Sequence, residues 1–143
     1  MRFAACTWIC LIIVFLPLSS SAADKNQFDG SWDTILSCTN NSGAMGYSFK
    51  FSSTVKDGLL HGEKGTKGLA GWLEIDGKIS ADGTAKLYAN GLIGASQYAV
   101  GQRPAGTQYG YHLDVKFTEQ QGSGKRVEGR PCEVAFNRVV DTK

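Results

Sequence analysis

Two short segments at opposite ends of the 143-residue chain read as the two edges of one sheet. The first is Phe28-Asp29-Gly30-Ser31-Trp32, running on to Cys38; the second runs from Cys132 to Arg138. An antiparallel register that sets Cys38 opposite Cys132 also sets Leu36 opposite Val134, Thr34 opposite Phe136 and Trp32 opposite Arg138. All four pairs then share one face, because side chains alternate with period two. A first strand joined to the last in this way predicts a closed barrel. Its seam would carry a disulfide at one end and an indole under a guanidinium at the other.

The rest of the chain supports an all-β reading. Tyr47-Ser48-Phe49-Lys50-Phe51-Ser52 alternates aromatic and polar residues, and Tyr111 to Phe117 places four apolar residues on one face and three polar ones on the other. Such alternation marks half-buried antiparallel strands. Lys56-Asp57-Gly58 and Ser80-Ala81-Asp82-Gly83 are hairpin signals, since Asp-Gly supplies positive φ angles cheaply. Gln120 to Gly124 reads as another turn, whereas Gly77 interrupts an alternation that continues past it and reads as a strand glycine, at a bend or bulge. Strands are predicted over 31–38, 46–55, 59–64, 71–79, 84–91, 110–118, 124–128 and 132–139. Eight strands in sequence order describe an antiparallel up-and-down (meander) barrel. Meander order gathers the connections near 39–45, 65–70, 92–109 and 129–131 at the disulfide end and leaves three short hairpins at the other.

Residues 1–23 have the form of a cleavable signal peptide, leaving 24–143 as a single domain. Met1-Arg2 is followed by an apolar run to about Leu18 and by small residues ending Ser21-Ala22-Ala23. A retained anchor is the alternative, although the run is short for a ~20-residue span. Cleavage would remove Cys6 and Cys10 and leave Cys38 and Cys132, which in a periplasmic or secreted protein are expected to pair; two separate buried thiols are the alternative. The formal net charge of +2 comes without a basic tract, which argues against nucleic acid and an anionic membrane surface as partners; no membrane insertion is expected after cleavage. A monomer is expected.

Gly30 and Trp32 at the start of the first strand, with Arg138 on the last to pack across the indole, resemble the barrel closure of the calycin superfamily, which includes lipocalins, avidins and small bacterial metalloprotease inhibitors. The stretches Tyr47 to Phe51, Val55 to Gly62 and Gly129 to Cys132 resemble those of small exported proteobacterial proteins. The resemblance implies the barrel and its export, and it implies no particular ligand.

Residues suited to catalysis are sparse. His61 falls next to a glycine and His112 on the polar face of its strand beside Asp114. Zinc would need three or four converging His, Cys or carboxylate ligands, and the two cysteines left after cleavage are expected to pair, so solvated histidines are the expectation. Gly122-Ser123-Gly124-Lys125-Arg126 lacks the leading glycine, the hydroxyl residue and the following helix of a phosphate loop. Glu63, Glu74, Asp76 and Asp114 are expected singly on outward faces, where nothing tunes them for proton transfer. No catalytic residue, metal or cofactor is therefore assigned, and the chain is expected not to be an enzyme.

Recognition is expected at the open end. The long connection from Ile93 carries Tyr98, Arg103 and Tyr109, and Lys64 and Lys67 on the neighbouring connection add positive charge. The expected partner is a small molecule or a peptide. A hydrolase inhibitor acting through the 24–28 arm or the long loop, and an envelope module without ligand, are the alternatives. The inward residues are bulky enough to suggest a packed interior with at most a shallow pocket, any void falling beside Gly77, Ala85, Ala89 and Gly91.

Overall fold

A computed structural model describes residues 26–140; the segment 1–23, read from the sequence as a signal peptide, lies outside them. Eight strands follow one another around a closed antiparallel barrel: β1 (Gly30–Cys38), β2 (Tyr47–Lys56), β3 (Leu59–Lys64), β4 (Leu73–Lys78), β5 (Thr84–Leu92), β6 (Gln108–Phe117), β7 (Gln121–Arg126) and β8 (Cys132–Arg138). β1 and β8 close the barrel in the register read from the sequence, with Trp32 opposite Arg138, Thr34 opposite Phe136 and Leu36 opposite Val134. Cys38 and Cys132 form a disulfide across a sequence separation of 94.

The base is plugged by rings. Trp32 is fully buried and meets Phe117 edge-on at 5.5 Å, while Phe117 also packs on Phe28 at 6.2 Å and Phe136 at 5.0 Å. The Arg138 guanidinium lies 4.6 Å from the indole centroid and donates to the carbonyls of Asp29, Gln27 and Glu119. It thus seals the indole and ties the entering chain to the last strand. Gly30 is required here: its φ is +143°, and a Cβ would lie 2.9 Å from the Arg138 guanidinium. The next residue back, Asp29, accepts hydrogen bonds from the amides of Asp57 and Gly58, so the Phe28-Asp29-Gly30 run also caps the β2–β3 hairpin.

β7 differs from expectation. It begins at Gln121 rather than 124, and the turn is Thr118–Gln121, where the Thr118 amide donates to the Gln121 carbonyl. Gly122 and Gly124 are inward strand positions, not turn residues. A Cβ on Gly122 would fall 2.6 Å from the Phe117 ring, and one on Gly124 would fall 2.2 Å from the Asp114 carbonyl. Bulky β6 side chains and backbone occupy the space these glycines leave. Gly77 serves the same end on β4, facing Leu87; the β4–β5 pairing keeps one register from Leu73↔Gly91 to Ile79↔Ala85, so no bulge is present there.

Candidate functional site at the disulfide end

Above the plugged base the barrel stays packed through Leu36, Leu73, Ile75, Leu87 and Leu113, and opens only toward the disulfide end. A partly open cavity of about 870 Å³ occupies the disulfide end. The expectation of at most a shallow pocket is therefore corrected, and so is the expected position of the void. The small residues on β4 and β5 are covered: Leu87 packs over Gly77, and the Tyr109 hydroxyl and the Trp72 carbonyl sit where a Gly91 Cβ would be. The cavity opens instead between β2, β6 and the end of β7, where Tyr47, Phe49, Tyr109, Tyr111 and Arg126 line it.

Those rings form the walls. Tyr47 and Phe49 from β2 lie 4.6 Å apart, and Tyr109 and Tyr111 from β6 stack nearly parallel at 6.0 Å. Tyr98, on the 3₁₀ turn Ser96–Tyr98 of the long connection, meets Tyr47 edge-on at 6.2 Å and stays 39% exposed on the rim. Lys64 lies 4.3 Å from the Phe49 centroid, and Arg103 donates to the Gln108 carbonyl at 2.6 Å to brace the long connection. Of the residues singled out from the sequence, Lys64, Tyr98, Arg103 and Tyr109 line the cavity. Lys67 does not. It pairs with Glu74 at 3.3 Å and lies 5.2 Å from the Trp72 centroid on the outside.

Two arginines were not singled out beforehand. Arg126 ends β7, shares the inward parity of Gly122 and Gly124, and places its guanidinium 3.9 Å from the Tyr111 centroid. That parity was the signal available for it, hidden by a glycine-rich stretch that reads as a turn. Arg130 lies in the short β7–β8 link, where no periodicity applies. Its buried guanidinium donates to Tyr98 O at 2.6 Å, Thr39 O at 2.5 Å and Met45 O at 2.9 Å, so one side chain joins three loops of the mouth.

The electrostatics are one-sided. Lys64, Arg103, Arg126 and Arg130 line the cavity, and none of its lining residues is acidic. Burial raises the phenol pKa of Tyr47, with Arg130 and Arg126 pulling the other way. Burial likewise drives Tyr109 and Tyr111 well above the ordinary 10.0, and neighbouring phenols add to the rise. All three therefore stand as neutral hydroxyls at neutral pH, able to donate. Among the described residues, the buried side-chain polar atoms without a partner are Tyr111 Oη and Arg130 Nε, and both belong to residues that line this cavity.

The histidines are each paired on the outer surface. His61 Nδ1 is 2.7 Å from Asp76, across the β3–β4 register, and Glu74 completes a set of donor atoms within 4.8 Å of one another. Glu74 and Asp76 are thus not isolated. His112 pairs with Glu128 at 2.6 Å rather than with Asp114, which lies 3.7 Å from Lys86. The His61 group is exposed and already partnered internally and by Lys67, which accounts for its geometry without a metal.

Compared with family models, with curated proteins and with solved structures, the chain matches none. The eight-stranded closed meander, with Gly30, Trp32 and Arg138 at its base, is consistent with a calycin-like fold.

Proposed function

We propose that this protein is an exported, non-catalytic barrel of calycin type that binds a small molecule in the cavity at its disulfide end. The cavity carries the reading. At about 870 Å³ it falls within the range of ligand sites, ~300–1,000 Å³, and it has the expected mixture of aromatic wall and few polar groups. The disulfide and the leader-like segment 1–23 support export. The inhibitor reading has less support, because Phe28 is 2% exposed and plugs the base rather than presenting an arm. The ligand-free module has less support because Tyr98 stays on the rim instead of being buried under its own loop.

A thermal-shift screen of the purified domain against a chemically varied panel, with Ala95→Trp as the occluded control, tests the proposal. A ligand at 100 times its Kd adds about 2.7 kcal/mol. Stabilisation by at least one compound, lost in Ala95→Trp, is expected. A panel that never raises the melting temperature, together with a protein that leaves its own export route carrying nothing by native mass spectrometry, would sink the reading.

A further inference from the structure

We infer that the ligand is an aromatic organic acid, its acid group seated between Arg126 and the tyrosine hydroxyls and its ring held among Tyr47, Phe49 and Tyr109. This rests on the small-molecule reading above and gives that molecule a chemical class.

Charge comes first. The four cationic side chains on the cavity face no carboxylate within it. Arg130 is only 5% exposed, and its partners are three carbonyl oxygens, none of them charged. A buried cation without a counter-charge is costly, and an anion bound nearby offsets that cost.

Geometry gives the seat. Arg126 donates through Nε to the Glu128 carbonyl, which fixes the plane of the guanidinium against the Tyr111 ring. Its two terminal nitrogens donate to no group among the described residues, so the fork that matches a carboxylate or sulfonate is open. Tyr111 Oη has no partner either, although it is buried. A protein that buries a donor ordinarily satisfies it. An acid oxygen from the ligand would satisfy it here, and the neutral phenols of Tyr47 and Tyr111 have the right protonation to donate.

The walls give the body. Around the guanidinium the side chains are mostly rings, with Tyr47, Phe49 and Tyr109 arranged so that their faces or edges border the space. Rings prefer offset or edge-on contact with other rings, an advantage beyond buried area that an alkyl chain does not gain.

Calorimetric titration with naphthoate, with its neutral isostere naphthylmethanol and with decanoate separates the parts of this inference. For the wild-type protein, naphthoate is expected to bind about 10–100-fold more tightly than naphthylmethanol, the range set by hydrogen bonds to a charged group, and more tightly than decanoate. Arg126→Gln should bring naphthoate to the level of the alcohol and leave the alcohol unchanged. Tyr111→Phe keeps the ring under Arg126 and should weaken naphthoate alone, which covers the case of an Arg126 variant that does not fold. Equal binding of acid and alcohol by the wild type would overturn the acid seat while leaving small-molecule binding intact. Decanoate bound more tightly than naphthoate would overturn the aromatic assignment. Failure of all three probes would overturn the inference, and the wider panel would still decide the parent proposal.

Discussion

Single side chains in this barrel hold several elements at once. Arg138 covers an indole and collects three carbonyls at the base, and Arg130 collects three carbonyls at the mouth. Both use the planar fork of arginine, which lysine could not reproduce. The outer His61–Asp76 pair is simpler and gives a signed prediction. Its hydrogen bond to Asp76, more than any other influence, raises the His61 pKa above 6.5. The favoured species is the protonated one, so the contribution is fully present below the unfolded-state value and fades as pH rises through the higher folded-state value. The pair is exposed and salt will weaken it. Proton NMR titration should place the His61 midpoint above 6.5, and Asp76→Asn should lower it. A midpoint that the substitution leaves in place would contradict the pairing. At this scale the sequence revealed Trp32 and Arg138 because both obey the alternation of paired strands. Arg130 was illegible because it lies in a link, where no period says which way a side chain points.

Among the elements, β7 shows how a glycine can be misread. Gly122 and Gly124 look like turn residues, yet they alternate with outward Gln121, Ser123 and Lys125. The Asp57-Gly58 hairpin was legible because it combines the turn dipeptide with a change of strand, and both residues do take positive φ, 52° and 74°. Gly124 is not among the glycines of positive φ; its need is space. A Cβ there meets backbone, the Asp114 carbonyl at 2.2 Å and Val115 Cα at 2.8 Å, neither of which can rotate away. Gly124→Ala should therefore force β6 and β7 apart and cost about 1–3 kcal/mol by overpacking, although alanine suits a strand better than glycine does. Urea denaturation measures this. A variant as stable as the parent would show that the two strands separate there without cost.

For the whole molecule, closure and opening are assigned to opposite ends. β1 carries both, with Trp32 in the plug at the base and Cys38 in the disulfide at the mouth. The inward set was legible from period two alone. The cavity was not, because whether facing rings meet or leave room depends on packing across the barrel, and no pattern along the chain records that. The division has an energetic consequence. Trp32→Ala removes the centre of the aromatic plug and should cost ~3–5 kcal/mol. Replacing Cys38 and Cys132 together by serine releases a loop of 94-residue separation, for which chain entropy gives about 4–5 kcal/mol as an upper figure. The six-residue advance from Trp32 to Cys38 spans roughly 20 Å of strand. The two changes share no partner: the indole touches Phe28, Phe117 and Arg138, all at the base. Sites that far apart add to within about 0.5 kcal/mol. Because both losses together approach the stability of a small domain, the cycle is best measured with a stabilising osmolyte present in all four proteins. A coupling energy well beyond about 1 kcal/mol would mean that mouth and base move as one unit. Binding of the proposed ligand at the mouth would then be felt at the Trp32 plug, and the mouth could not rearrange while the base stayed closed.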